Sequence, residues 1–364
     1  MKSLNLYCPI NTTGYGIASN NIALSLSRIG ADVALHVIGQ GVLTGNQSET
    51  QAIIQMLTRA RRYDDNAPCL KIWHQHDLAA RVGKGEYYAY PFFEMDRFYD
   101  FEKHVMKAAD AFFVASKWAK GIIEESGTTK PVFVAPLGVD RKVFNPDIRT
   151  KQESKDYVFL HIGKWEKRKG QDVLIEAFNN AFSPKDNVQL WLVPHNPFLD
   201  DNETSRWIEL VDESPMKEKI KIFPRLPSNA DVADLMFNAD CGIFLSRAEG
   251  WNMEVTEMMS MGRPIIATNY SAHTEFLTNK NSFLVDVDET EPAYDGKWFH
   301  GHGHWAKFGD SQMSQTVEHM RFVYSNKVNS NPHGLETAKL LSWENTASII
   351  HQTLIERNSY NANS

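Results

Sequence analysis

SRAEGWNMEVTEMMSMGRPIIAT, residues 246–268, follows the apolar run Cys241–Leu245 and ends in another, Pro264–Ala267. Each run has the length and composition of a buried strand, and Glu254–Met261 between them has helical apolar spacing. Glu249 therefore falls on a strand-to-helix turn, where Gly250 lets the backbone come close to a ligand. The N–H groups of Trp251, Asn252 and Met253 fall at the start of the helix, where free donors and the helix dipole suit an anion or hydroxyls. Glu257 follows two turns later. The pattern reads as a clamp with one carboxylate for each end of a long ligand, or as a capped helix bearing two solvated acids.

Outward from this segment, short β-rich runs alternate with helical patterns along the chain. In the first half the strands are expected at Leu4–Cys8, Val33–Ile38, Leu70–His74, Tyr87–Phe92, Ala111–Ala115 and Val132–Ala135. Helices are expected at Ile17–Arg28, Gln51–Arg62 and Phe101–Ala109. The polar stretch 145–156, NPDIRTKQESKD, reads as a linker. Beyond it, strands are expected at Tyr157–Ile162, Val188–Val193, Lys219–Phe223, Cys241–Leu245, Pro264–Ala267 and Phe283–Val285, with helices at Gln171–Ala181, Ala230–Phe237 and Glu254–Met261. Strands alternating with helices predict parallel sheets covered on both faces. The fold class is α/β: two doubly wound, Rossmann-like domains facing a central cleft, since ligands in such sheets sit at the carboxyl ends of the strands. The expected ranges are 1–148, 149–342, and a C-terminal helix with a frayed tail over 343–364 that crosses back to the first domain.

A second chemical motif is Gly163-Lys164-Trp165-Glu166-Lys167-Arg168-Lys169-Gly170, at the end of the strand Tyr157–Ile162. Four basic residues between glycines at a helix start suit a diphosphate, or form a solvated basic turn. In the first half, Gly14 and Gly16 open a helix after the first strand and could bring backbone N–H groups to a phosphate or sugar; a plain strand–helix turn is the alternative. His74 and His76 stand at a strand's carboxyl end, placed to donate to a sugar hydroxyl or to be satisfied structurally. Glu94 and Asp96 are candidates on the side of the accepting molecule, or partners of a buried ion pair with Arg97. His300, His302 and His304 alternate as metal ligands could, but with no Cys or carboxylate close by to close a shell, they are read as an exposed loop.

Bulk properties narrow the class. No apolar run approaches the ~20 residues that span a bilayer, and the polar start of the chain does not read as a signal peptide. Three widely spaced cysteines, Cys8, Cys69 and Cys241, fit a reducing cytoplasm. Net charge is −7, which argues against a strong non-specific polyanion binder. Residues 1–150 nonetheless carry 17 Lys+Arg against 15 Asp+Glu, leaving a local basic surface open there.

The Glu249…Glu257 spacing, followed by Gly262-Arg263-Pro264-Ile265-Ile266-Ala267, resembles the signature of glycosyltransferase family 4, whose members have the GT-B fold and transfer sugars with retention. Tyr90–Arg97, with its Phe-Glu-Met-Asp-Arg, resembles one branch of that family, as do Val114–Trp118, Pro136–Asp140, Gly303–Ala306 and Ser342–Glu344 in order and spacing. The resemblance implies that Glu249 contacts the donor sugar and Glu257 the ribose of a nucleotide-sugar. It implies that Lys164 and Lys169 face the diphosphate, that a mobile loop at Gly14 and Gly16 faces the donor, and that a histidine, here His76 in preference to His74, lies near the sugar. Two positions depart from the family pattern: Asn252 replaces the usual Gly, and Lys164 an Arg, which loses the bidentate fork. Nucleobase recognition is placed near Arg225 and Leu226, through backbone groups.

The implied reaction is a retaining, metal-independent transfer from a nucleotide-diphosphate sugar to a hydroxyl, with no cofactor. The sugar-accepting molecule stays open: a glycan, a lipid, a small molecule or a hydroxymethylated DNA base. Two rivals on the same architecture are a nucleotide-sugar epimerase or hydrolase and a non-catalytic sugar-nucleotide-binding module.

Overall fold

The computed structural model describes residues 3–43 and 45–361 of the chain, as two compact units. The first comprises residues up to Phe93, then Arg97–Gly138, and the chain from Leu341 onward; the second holds Glu94–Asp96 and Val139–Leu340. The division falls at Gly138/Val139. The stretch 145–156, read as a linker, is fastened to the second unit. There Arg149 pairs with Asp234 and Lys151 with Asp240, and the Gln152 N–H donates to Asn238 at 2.9 Å.

The first unit runs β1 (Ser3–Cys8), α1 (Gly14–Arg28), β2 (Asp32–Val37), α2 (Gln47–Arg59), β3 (Cys69–Lys71), β4 (Tyr87–Ala89), α3 (Asp100–Met106), β5 (Ala111–Val114), α4 (Lys117–Glu125) and β6 (Val132–Val134). Its six strands pair in parallel in the order β2-β1-β3-β4-β5-β6. Burial on both faces explains their near-continuous apolar runs: Leu4, Leu6, Val33, Leu70, Phe112 and Phe113 are all fully enclosed. The strand expected over Leu70–His74 stops at Lys71, because Trp73–Asp77 turns, with the Asp77 N–H on the His74 carbonyl at 3.0 Å. Likewise β4 ends at Ala89, before Pro91, which has no N–H for the ladder. The helix expected from Gln51 starts four residues earlier, at Gln47, behind an Asn46/Glu49 capping box.

The second unit runs β7 (Tyr157–Ile162), α5 (Gln171–Ala181), β8 (Val188–Val193), α6 (Asp201–Asp212), β9 (Ile220–Ile222), α7 (Asn229–Asn238), β10 (Cys241–Phe244), α8 (Met253–Ser260), β11 (Ile265–Asn269), β12 (Phe283–Asp286), β13 (Thr290–Tyr294), β14 (His300–Ala306), α9 (Asp310–Ser325) and α10 (Pro332–Leu340). Its parallel sheet has the order β12-β11-β10-β7-β8-β9. The order reverses between β7 and β10, so the loops after these two strands form the switch point where such sheets bind ligands. Phe159, Leu190 and Ile243 of the sheet pack with Leu174 and Phe178 of α5 and Met320 and Val323 of α9. Asp200 caps α6 with Glu203. The histidine-rich run read as a loop is β14, paired antiparallel with β13.

The chain returns to the first unit as α11 (Trp343–Asn361). Gly138 admits it: a Cβ there would lie 2.1 Å from the Trp343 nitrogen. Where fraying was expected, the helix continues to Asn361, and Arg357 holds Glu86 and the Tyr88 hydroxyl, the latter at 3.1 Å. The remainder of that expected tail lies outside the described residues.

Candidate active site

Two loops meet at the switch point of the second unit. After β7, a 3-10 turn over Lys167–Lys169 ends in Gly170 at φ +76°, a left-handed conformation that favours glycine. A Cβ on Gly170 would sit 2.1 Å from the Leu245 carbonyl, so the absence of a side chain is what lets the two loops touch. The Arg247 N–H then donates to the Arg168 carbonyl at 2.7 Å. Arg247 also grips Asp172 of α5 in a bidentate pair at 2.9 Å and reaches Glu291 of β13 at 3.3 Å. The helix start and the hairpin are thereby tied to the same point.

This docking turns Arg168 and Lys169 inward around Glu249, and all three are buried. Lys169 Nζ lies 2.7 Å from Glu249 Oε1 and Arg168 Nη1 2.8 Å from Oε2. The Ser246 hydroxyl donates to Oε1 at 2.7 Å and the Asn252 amide at 3.3 Å. Burial alone would push the Glu249 carboxyl up, but Lys169 and Arg168 outweigh it and hold the group well below the usual carboxylate range. Burial would likewise lower Lys169, yet Glu249 and Glu254 raise it above its ordinary value. Both stay charged at neutral pH. The Lys169 ammonium has three N–H groups, and Glu249 is its one ion-pair partner among the described residues. Donors remain for an incoming anion.

Arg168 organises more than one acid. Its Nε donates to Glu166 at 3.0 Å, its Nη1 also to the Ala248 carbonyl at 2.9 Å, and Glu94 stands 3.9 Å from Nη2. The alternative of an ion pair between Arg97 and Glu94 or Asp96 is not formed. Arg97 is exposed, Glu94 faces Arg168, and Asp96 accepts from the His304 N–H at 2.8 Å. Burial raises the Glu94 carboxyl above its usual range, with Arg168 opposing. Lys164, the other cation expected at a diphosphate, keeps 42% of its side chain exposed, near Glu166 and over the Phe198 ring.

Asn252 caps α8 at φ +83° and ψ +80°, and Trp251 packs on Phe276, its ring N–H without a partner among the described residues. Gly250 and Trp251 are buried in the turn and Met253 begins the helix. One face further along, Glu257 is half-buried and its carboxyl has no hydrogen-bond or ion-pair partner among the described residues. Burial, with like charge from Glu254 and Asp140, pushes its carboxyl well above the usual range. Below about pH 4.3 folded and unfolded chains both keep this proton. As pH rises from there the unfolded chain releases it first, so the native state loses stability. Glu257→Gln is expected to raise the melting temperature at pH 8 by about 2–4 °C, equivalent to ~1 kcal/mol, and to leave it unchanged at pH 4. Arg225 and Leu226 lie in the loop after β9, at the far edge of the sheet, two strands from β7.

In the first unit the order reverses between β1 and β3, and the expected residues follow those two strands. Gly16 presses on Asn11, since a Cβ would meet its backbone oxygen at 2.4 Å. Tyr15, between Gly14 and Gly16, packs on Trp73, His74 and Phe92 and exchanges hydrogen bonds with the Phe92 backbone at 2.8 Å. His76 is exposed and stacks on His74. Sequence reasoning missed Tyr15, Arg168 and His273, described below. Arg168 could have been found from its place beside Lys169 in the turn, and Tyr15 from its place between Gly14 and Gly16; His273 carries no local signal.

Known proteins resemble this chain in sequence over part of its length and in fold over nearly all of it. Residues 156–295 match the family model described as "Glycosyl transferases group 1", so the second unit carries a glycosyltransferase domain. Among curated relatives, the mannosylfructose-phosphate synthase of Agrobacterium fabrum is 27% identical over 40% of this chain and 35% of its own length. The D-inositol 3-phosphate glycosyltransferase of Paenarthrobacter aurescens is 23% identical over 44% of this chain and 43% of its own. The chain thus spans less than half the length of either. Among solved structures, the sucrose-phosphate synthase of Thermosynechococcus elongatus superposes with a TM-score of 0.71 at 14% identity, covering 100% of both chains. Anabaena HepE in complex with UDP gives 0.69 at 17% identity, over 98% of this chain and 100% of that one. These likenesses show the fold, two Rossmann-like units of the GT-B kind. No helix among the described residues is long and apolar enough to cross a membrane.

Proposed function

We propose that the protein is a retaining, metal-independent glycosyltransferase that takes a sugar from a nucleotide-diphosphate donor held by its second unit. The observation that carries this reading is the buried cluster of Glu249, Lys169 and Arg168 at the switch point, inside a segment that matches a glycosyltransferase family. Lys169, with Lys164 at the rim and the start of α8, would stabilise negative charge growing on the leaving diphosphate. Glu249 would accept from sugar hydroxyls, Glu257 from the ribose, and the backbone from Gly250 to Met253 would line the donor. The loops of the first unit carrying Gly14, Gly16, His74 and His76 are assigned to substrate recognition, as are Glu94 and Asp96.

Glu249 is a poor nucleophile in this setting, because lysine, arginine, serine and asparagine donors occupy its oxygens. That favours attack without a covalent protein intermediate. The bond from the anomeric carbon to the β-phosphate oxygen breaks, and the bond to the acceptor oxygen forms on the same face. The acceptor's proton passes to the departing phosphate. Both carboxylates and both cations are supplied by the chain, so no metal enters the scheme.

A donor-only reaction tests this before the acceptor is known. UDP-glucose, GDP-mannose and ADP-glucose are incubated with the protein in excess chelator, with water as slow acceptor, and the first-released sugar is read by proton NMR. The α-configured donor that binds is expected to yield the α-anomer first, at a rate the chelator does not change. Release of the β-anomer first, or loss of turnover with chelator, overturns the reading.

A further inference from the structure

Behind Glu249 the side chains of Asn252 and His273 are joined by a contact that the scheme above does not use. His273 Nδ1 is 2.9 Å from the Thr268 carbonyl. A carbonyl only accepts, so Nδ1 carries the proton. Burial holds the ring neutral by pushing its pKa down, and Nε2 is then an acceptor. The Asn252 amide nitrogen stands 3.0 Å from that Nε2 and 3.3 Å from Glu249 Oε1. Both neighbours need a donor, and the amide of Asn252 has two N–H groups to give. Its orientation is therefore fixed, with both hydrogens used and Oδ1 buried without a partner among the described residues. Asn252 also holds a left-handed backbone conformation that glycine would adopt without strain. A side chain is kept where the backbone favours none.

We propose that Asn252 is a positioning residue: oriented by His273, it fixes Glu249 toward the sugar half of a nucleotide-sugar and so sets the preference for that sugar. This rests on the donor reading above. Glu249 Oε1 takes Ser246 and Lys169 at 2.7 Å each, and Asn252 supplies its third donor. Without that donor the carboxylate can swing toward the lysine, and the lone pair offered to a sugar hydroxyl moves with it. Glu257 and Lys164, the groups assigned to the nucleotide that make no hydrogen bond or ion pair with Glu249 among the described residues, are untouched by such a swing.

The test is calorimetric titration of each nucleotide diphosphate and its sugar (UDP and UDP-glucose, GDP and GDP-mannose, ADP and ADP-glucose) into the protein and three variants. Asn252→Gly suits the backbone and removes the carboxamide. His273→Phe removes the acceptor, while His273→Gln keeps one. In Asn252→Gly and His273→Phe, affinity for the preferred nucleotide-sugar should fall about ten-fold relative to its parent diphosphate, whose own affinity changes by less than about two-fold. His273→Gln should recover most of the loss. An unchanged ratio in Asn252→Gly, or equal losses for diphosphate and sugar, overturns the proposal while leaving the donor reading standing. If the unsubstituted protein binds none of the six ligands, the donor reading fails and this proposal falls with it.

Discussion

Arg168→Met is expected to lower the melting temperature of the second unit by about 6–20 °C, the equivalent of ~3–5 kcal/mol for breaking a buried ion pair. Arg168 is 5% exposed, and its partners Glu166 and Glu249 are 9% and 4% exposed. Methionine matches the stem in length and fills much of the space, so packing changes less than charge. What remains is a group of acids, the buried Glu166 and Glu249 and the partly exposed Glu94, facing Lys169 and the half-exposed Lys164. Their like charges must protonate, separate or admit water. The Ala248 carbonyl also loses its donor. Scanning calorimetry at pH 7 reads the effect, and adding Glu166→Gln should recover part of it by removing one orphaned charge. A change under about 1 °C would mean that water already solvates the cluster.

Lys169→Ala is expected to slow donor turnover by about 10²–10³-fold, the cost of removing one preorganised charge from a reaction that expels an anion. Stability should suffer less than with Arg168, because Glu249 keeps Arg168, Ser246 and Asn252. The two variants thus separate two roles that the sequence runs together. Arg168 holds the acids in place, and Lys169 has donors left over for an incoming anion. Turnover measured with and without chelator reads the effect, and near-normal turnover in the alanine variant would remove the lysine from the mechanism.

The sheets were legible because burial on both faces writes itself as apolar runs. Tyr157–Ile162 and Val188–Val193 have their expected bounds, and Gln171–Ala181 is the expected helix. What escaped were elements whose apolar face is thin. In α6 only Val211 is buried, and the capping box at Asp200 and Glu203 was the sole local sign of a helix. In the β13–β14 hairpin, β13 contains Pro292 and β14 two left-handed glycines, Gly301 and Gly303, which blur the alternation of a strand. At the site, the sequence shows four basic residues in six but not which of them point inward. That depends on the 3-10 turn ending at Gly170, which buries Arg168 and Lys169 and leaves Lys164 half-exposed. Glu94 and His273 reach the cluster from 155 and 24 positions away from Glu249, a proximity created by folding alone.

The central claim is that the donor's diphosphate meets Lys169 while its two ends reach Glu249 and Glu257. A crystal structure with UDP-glucose bound tests it most directly. The account predicts a β-phosphate oxygen within about 3 Å of Lys169 Nζ, a sugar hydroxyl on Glu249 and a ribose hydroxyl on Glu257. A diphosphate seated elsewhere, with Glu249 still closed on Lys169 and Arg168 and no hydroxyl near either acid, would contradict it.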